Sequence, residues 1–488
     1  MKKIFNLCLL ALFVSFTSCE DATDIIQDGE LSEEAAYRNV DDLQTGLNGV
    51  YATYAPDAAS NGVGNSFLLN AVITDNIKRG IQNNNQGSEV YGFTVNTNTG
   101  FPNSIWNSRY GTINFANRVL RNIDRVLENA SEADIARADH IKGQLIALRA
   151  LCHFELMQYF VVDYKAPDSP GVIIMDFVPP LGEVYPRNTV GECFEFILND
   201  INDAQALVNP TATDNFYITQ NAIQFLRARV LLFQGNTSDY ASIEAIADSI
   251  LEDHPIITDF EAYSGFWSDA NLSTVDEDVF TLFRGVSDNN IAGMFYANET
   301  NISGSPFFEM SNELFDLYAD DDVRKQVFVD NSSVLSGANR VILINKYPGS
   351  SNGLLSNHCK LFRSSEMLLI KAEVQARQGN LTGAAQSVRS LRDARIAGTP
   401  ALPNYANLNV ALADIMVERR KELCYEGHRY LDIKRIGAEI NVGINRDSRD
   451  CGSFEAPCDL APTSYLFTMP IPNSELNANN TIQQNPNY

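Results

Sequence analysis

The chain has 488 residues and a formal charge of −25, from 36 Lys and Arg against 61 Asp and Glu, with 45% hydrophobic residues. Such acidity excludes a nucleic-acid binder, whose affinity comes from Lys and Arg on phosphates, and non-specific adhesion to anionic lipid. The five histidines are scattered and no cysteine pair has zinc spacing, so neither a metal nor another cofactor is expected.

In chain order, residues 1–18 read as a secretory signal. Lys2 and Lys3 form a basic start, and the apolar run from Ile4 to Phe16 is shorter than the about 20 residues a membrane-spanning helix needs. The run ends in Phe16-Thr17-Ser18-Cys19, small residues before a cysteine of the kind lipoprotein signal peptidase accepts. Cys19 is therefore the expected lipidated N-terminus. Loss of Lys2 and Lys3 takes the charge from −25 to −27. Residues 19–30 are expected to be a tether reaching at most about 35–40 Å. Residues 31–488 are expected to form one domain: a helical framework over about 31–254 and 360–436, an irregular segment over about 255–358, and a C-terminal loop segment at 437–488.

Ser32 is expected to cap a helix with Leu43, Leu47, Val50, Tyr51 and Tyr54 on one face. A second helix carries Ile113, Ala116, Leu120, Ile123 and Leu127. A third starts at Ser131 with Asp134 three residues on and runs through Ile141, Leu145, Leu148, Cys152, Leu156 and Tyr159. Thr189 with Glu192 caps a fourth, buried through Phe194, Ile197, Ile201, Ala204 and Val208.

A self-similarity follows at an offset of 144 residues. Ala228-Arg229-Val230 before Phe233-Gln234-Gly235-Asn236 matches Ala372-Glu373-Val374 before Arg377-Gln378-Gly379-Asn380, and Ala241 and Ala385 keep the offset. Each copy reads as helix, Gly-Asn break, helix, with the glycine closing the first helix in the left-handed conformation. Ala150 and Phe154 add the A-x₃-F spacing of tetratricopeptide helices. The fold class is therefore mostly α: tetratricopeptide-like helix pairs form a framework, and a long irregular, partly β insertion carries the binding face.

That insertion, 255–358, is rich in Gly, Ser, Asn and Asp, with β-prone pieces at Val279–Phe283 and Val341–Ile344. A second irregular stretch, Ile73 to Phe101, separates the first two helices. Excursions this long in a compact chain are usually functional. Cys152, Cys193 and Cys424 fall in helical patterns and read as buried thiols. Cys451 and Cys458 flank a loop with Gly452 and Pro457 in an exported chain, where disulfides persist; a disulfide and two free thiols are both open.

The densest charged cluster spans Glu418 to Arg435, with Glu418, Glu422 and Glu426 four apart on a helical face. Paired carboxylates suggest glycosidase chemistry, but each has an arginine within helical reach, which keeps it ionised and unsuited to act as a general acid. A structural salt-bridge network is the preferred reading.

In this cluster Glu418, Arg419, Glu422, Leu423, Glu426, Gly427, Arg429, Asp432 and Arg435 fill the pattern E-R-x-x-E-L-x-x-E-G-x-R-x-x-D-L-x-R, with Ile433 at the second leucine. Arg363 to Glu373 resembles R-x-x-E-x-x-L-I-x-A-E, Met469-Pro470-Ile471-Pro472 with Glu475 resembles F-P-I-P-x-x-E, and Gln484 to Tyr488 resembles Q-N-P-G-Y with Asn487 at the glycine. Trp106, Tyr110, Ile113, Asn117, Gly143, Arg149 and Ala150 look like the first helix pair of the same family. Over essentially the whole mature chain the sequence resembles SusD/RagB proteins, and Ser18-Cys19-Glu20-Asp21 resembles the acidic lipoprotein export signal of Bacteroidetes. The resemblance implies a lipid-anchored protein on the outer face of the outer membrane. It also implies a SusC-like TonB-dependent transporter as partner, and capture of an oligosaccharide (or, in the RagB branch, a peptide) for import. A surface glycoside hydrolase and a helical-repeat scaffold are the competing classes. In the family, ligand contacts come from the loop after the first helix and from the irregular middle segment. This points to Asp75, Asn76, Arg79 and Phe101 in the first and to Phe295, Tyr296, Asn298 and Phe307 in the second.

Overall fold

The computed structural model describes residues 32–488, apart from 61–62, 81, 271–276, 286–287, 289–290, 296–306, 338, 352–355 and 453–455. Cys19, Tyr296 and Asn298 lie outside the described residues. Among the described residues no helix is long and apolar enough to cross a membrane.

Among the described residues nine long helices carry the framework: α1 (Val40–Thr53), α2 (Gly100–Leu120), α3 (Glu132–Phe160), α4 (Val190–Leu207), α5 (Gln220–Gln234), α6 (Tyr240–Asp253), α7 (Ser364–Arg377), α8 (Leu381–Arg395) and α9 (Leu408–Glu422). Their starts follow the chemistry of orphan N–H groups. Asp134 N donates to Ser131 Oγ at 3.2 Å. Thr189 and Glu192 close a full capping box, with Glu192 N donating to Thr189 Oγ1 at 3.2 Å and Thr189 N to Glu192 Oε2 at 2.8 Å. Ser32 caps a separate short helix, Glu33–Ala36, while Asn39 caps α1 by accepting from Asp41 N and Asp42 N at 2.9 and 3.0 Å. The second stripe also breaks earlier than its periodicity predicts. Helix α2 stops at Leu120, and Ile123 and Leu127 belong to a further short turn.

The 144-residue repeat is real structure. Gly235 at φ 75° and Gly379 at φ 83° both sit left-handed between paired helices, α5/α6 and α7/α8. Ala228, Ala372 and Ala385 are buried, which lets the helices approach closely, whereas Ala241 is exposed. Consecutive helices pack on one another from α2 to α8, and α6 lies against α7, so the second pair stacks on the first. This is the tetratricopeptide-like arrangement expected of the framework.

The middle segment is less irregular than its composition suggests. Strand β2 (Asp278–Leu282) pairs antiparallel with β4 (Cys359–Arg363), all ten residues buried. Short helices occupy Phe260–Trp267, Asn312–Leu317 and Val323–Phe328. The Val341–Ile344 piece makes only isolated bridges, Val334 with Val341 and Val329 with Ile344. Strand β1 (Ile77–Arg79) pairs antiparallel with β3 (Phe308–Met310), so the two segments singled out in the sequence meet in one small sheet.

The charged cluster is the polar core of the molecule. Helix α9 ends at Glu422, because Tyr425 at φ 68° and Gly427 at φ 86° turn the chain left-handed. A Cβ on Gly427 would also lie 2.8 Å from the Phe67 ring. Glu426 is therefore on the turn, not on a shared helical face, and the expected helical-reach arginines are not the partners. Cations from distant elements converge instead. Glu422 pairs with Arg324 at 3.2 Å, Arg363 at 3.1 Å and Arg395 at 3.0 Å. Glu277, Asp322, Glu418 and Glu426 supply four more buried carboxylates, and Lys346 and Lys421 two more buried cations. Burial alone would raise the Glu422 carboxyl, but Arg395, Arg363 and Arg324 outweigh it and hold the group well below the usual range. Glu418, Glu426 and Asp322 are lowered in the same way, against burial, by their cations.

The C-terminal motifs fasten this core. Gln484 exchanges hydrogen bonds with the Ile471 backbone at 2.8 Å each way, and Asn485 Nδ2 donates to Phe160 O and Met469 O at 2.9 and 2.8 Å. Asn487 takes φ 72°, the left-handed conformation that lets it replace glycine. Trp106 is buried and donates from Nε1 to Glu475 Oε2 at 3.2 Å, a framework role. Cys451 and Cys458 are disulfide-bonded with Cα atoms 5.4 Å apart, and Cys152, Cys193, Cys359 and Cys424 are buried free thiols.

Candidate functional site

Four of the residues expected to touch ligand are framework residues. Asp75 is buried, and its carboxylate accepts from Arg429 Nε and Nη2 at 2.9 and 2.8 Å. Burial would raise this group, yet Arg420 and Arg429 hold it far below the carboxylate range. Asn76 is buried, with Oδ1 accepting from Arg420 Nε at 3.0 Å. Phe101 is buried in the first turn of α2, and the buried Phe295 ring lies 5.1 Å from Tyr425. None of the four presents a face to solvent, and the contacts they make are to the protein's own framework. Chemistry suited to binding sugars is also chemistry suited to joining two loops, and burial decides between them.

Arg79 and Phe307 stay half-buried. Arg79 donates to Asn83 Oδ1 and Asn85 Oδ1, both at 2.8 Å, and the Phe307 carbonyl accepts from Gly80 N and Asn83 Nδ2 at 2.9 and 2.8 Å. Both lie at the rim of the sheet that joins the two excursions.

An open aromatic cleft of about 730 Å³ lies elsewhere, where β2 runs out between the end of α1 and the loop before α5. Its lining includes the rings of Tyr51, Phe216, Tyr217 and Phe283, none of them among the residues expected to touch ligand. Phe283 directly follows the buried strand and is 62% exposed. Phe216 stands edge-on to it at 5.8 Å, and both rings rest on His358, at 5.2 and 4.8 Å. Tyr217 packs edge-on to Tyr51 at 5.4 Å.

Local chemistry builds this corner. Asp214 organises the turn, with Phe216 N donating to its Oδ1 at 3.0 Å and Tyr217 N to its carbonyl at 3.1 Å, an Asx turn that presents two successive aromatics. The loop is tied to β2 by Thr281 N donating to Asn215 O at 2.9 Å and Asn215 Nδ2 to Asp278 Oδ2 at 2.7 Å. Arg284 anchors the strand end to the chain after α1, donating to the Asp57 carboxylate at 2.6 Å and to Tyr54 O at 3.2 Å. Arg284 N donates to His358 Nδ1 at 3.0 Å, and burial lowers the His358 pKa, so the imidazole is neutral behind the rings. Asn48, Asp214 and Asp288 are exposed around the rim.

The corner thus offers apolar ring faces nearly at right angles to one another, with carboxylate and amide groups beside them at the strand end. That combination suits a polyol with apolar faces, which is what a sugar ring is. A second cleft, of about 540 Å³, lies between α2 and the loop at 173–185 and is walled by Met175, Phe177, Pro179 and Pro180. It has fewer exposed polar groups.

Two family descriptions match the chain: "SusD family" over residues 288–488, and "Starch-binding associating with outer membrane" over residues 27–232. The SusD-like protein P2 of Formosa agariphila is 22% identical in an alignment covering 100% of both chains. A SusD superfamily protein from Bacteroides thetaiotaomicron has the same fold, with a TM-score of 0.78 at 24% identity over 92% of this chain and 100% of that one. A putative sugar binding protein from Bacteroides vulgatus superposes with a TM-score of 0.76 at 23% identity, over 93% of this chain and 99% of that one. With the C-terminal motifs accounted for by the core they build, and the two descriptions spanning most of the sequence, this chain belongs to the SusD/RagB family.

Proposed function

We propose that this protein captures oligosaccharides at the cell surface and delivers them, uncleaved, to a SusC-like TonB-dependent transporter in the outer membrane. The observation that carries the reading is the cleft at Phe216, Tyr217 and Phe283: the exposed Phe283 ring and the half-buried Phe216 ring line it together with Asp214, Asp288 and Asn48. The family descriptions, starch-binding and associated with the outer membrane, support it. So does the state of the carboxylates in the Glu422 cluster, which are buried, paired and held ionised, the opposite of what a general acid needs.

Two or three stacked or hydrogen-bonded sugar contacts correspond to micromolar-to-millimolar affinity, about −4 to −8 kcal/mol. Weak binding suits a protein that must release its cargo. Calorimetry of the soluble chain against panels of oligosaccharides and peptides should give such binding for an oligosaccharide, recovered intact afterwards. Binding of peptides alone would move the protein to the peptide-importing branch, and cleaved sugar in the cell would make it a hydrolase.

In the same reading, residues 1–18 are removed on export, Cys19 carries lipid, residues 19–30 are a tether, and 31–488 fold as one domain facing the exterior. Fatty-acid labelling in cells should mark the parent and not Cys19→Ala. Label surviving that substitution would remove the lipid anchor.

A further inference from the structure

The charge around the aromatic cleft is one-sided. Asp214 and Asp288 are exposed at its rim, and Gly285 N donates to Asp288 Oδ2 at 2.8 Å, fixing that carboxylate five residues beyond Phe283. The only cation among the described lining residues, Arg284, is turned into the protein. Its side chain is 6% exposed, and Asp57 neutralises it through Nη2 at 2.6 Å and Nε at 3.1 Å. His358 behind the rings is neutral, its Nδ1 accepting a backbone N–H. The internal segments outside the described residues contain no Lys or Arg, so none of them can bring a cation to the cleft. The chain as a whole carries −25.

Resting on the glycan-binding reading above, we propose that the cleft selects uncharged glycans and rejects polyanionic ones, those bearing uronate or sulfate groups. A sugar hydroxyl can donate to Asp214 or Asp288, a charge-assisted hydrogen bond stronger than a neutral one, while the apolar ring face lies on Phe216 or Phe283. A sugar carboxylate or sulfate in the same place meets two like charges and no cation. It sheds water without a partner to replace it, and like-charge juxtaposition of this kind is how a binding site discriminates against a wrong ligand. The sign of the rim therefore sorts glycans by charge before linkage or length comes into play.

Matched pairs differing only in charge test this. Polygalacturonate oligosaccharides and their carboxyl-reduced counterparts form one pair, and malto-oligosaccharides with their 6-oxidised uronate forms another. Each is titrated into the full soluble chain at low salt and at high salt. In any pair that binds, the uncharged member should bind at least about tenfold tighter at low salt. The gap should shrink as salt screens the rim, and Asp214→Asn with Asp288→Asn should narrow it further. Equal or tighter binding of an anionic member overturns the inference while leaving glycan capture standing, and so does a gap that neither salt nor the two substitutions alters. Binding of no member of any pair by folded protein overturns the glycan reading, and this inference with it.

Discussion

Replacing Glu422 with alanine should lower the stability of the fold by about 3–5 kcal/mol, the loss expected when one partner is stripped from a buried ion cluster. The carboxylate is fully buried and shared by three guanidinium groups, with Tyr263 OH donating to it at 3.3 Å. Removing it leaves Arg324, Arg363 and Arg395 in the interior with one negative charge too few. The elements they come from are far apart in sequence: the short helix Val323–Phe328, strand β4 and helix α8. One substitution thus loosens the junction of the framework with the middle segment. Glu422→Gln keeps the shape and an acceptor but not the charge, and should fall between parent and alanine. Chemical denaturation followed by circular dichroism is the measurement. An alanine variant within about 0.5 kcal/mol of the parent, the range of an ordinary surface change, contradicts this account.

The same cluster sets the behaviour in acid. Glu418, Glu422, Glu426 and Asp322 are held below their ordinary values in the folded state, as is Asp75 outside the cluster. A group depressed in this way binds fewer protons folded than unfolded. Its contribution is complete above the unfolded value, about 4 for a carboxyl, and is lost as pH falls through the folded value. Stability should therefore drop steeply below about pH 4, and the drop should be shallower in Glu422→Ala, which has already lost its share.

Much of the fold was legible in the sequence because its signals are local. The Thr189–Glu192 capping box, the left-handed Gly235 and Gly379 and the buried Ala228 and Ala372 each depend on residues within a few positions. The partners of Glu422 were not legible, because Arg324, Arg363 and Arg395 arrive from three other elements and sequence spacing carries no trace of them. The binding loops show a different limit. Asp75 and Asn76 have the polarity of ligand contacts, yet what they bind is the family's own Arg429 and its neighbour Arg420. Their burial follows from strand pairing between two excursions more than two hundred residues apart. Phe216 and Phe283 could have been noticed: Asp214-Asn215-Phe216-Tyr217 is a turn signal carrying two aromatics, and Phe283 continues a buried β run one residue past its end. Their meeting, across the strand end, is set by tertiary packing between segments more than sixty residues apart, which local sequence does not carry.

That meeting also gives the second large effect. Phe216→Ala with Phe283→Ala should weaken oligosaccharide binding by on the order of 2 kcal/mol, about thirtyfold, by analogy with aromatic pairs worth about 1 kcal/mol each beyond their area. The fold should tolerate the change. Phe283 is 62% exposed and Phe216 half-buried, and neither carries a hydrogen bond of the polar core. The decisive measurement is a side-by-side calorimetric titration of the parent and this double variant with the tightest-binding oligosaccharide of the panel, both proteins checked by circular dichroism. The account predicts loss of about thirtyfold or more in affinity with unchanged secondary structure. A folded double variant that binds within twofold of the parent would contradict the claim that the Phe216–Phe283 cleft is where the glycan sits.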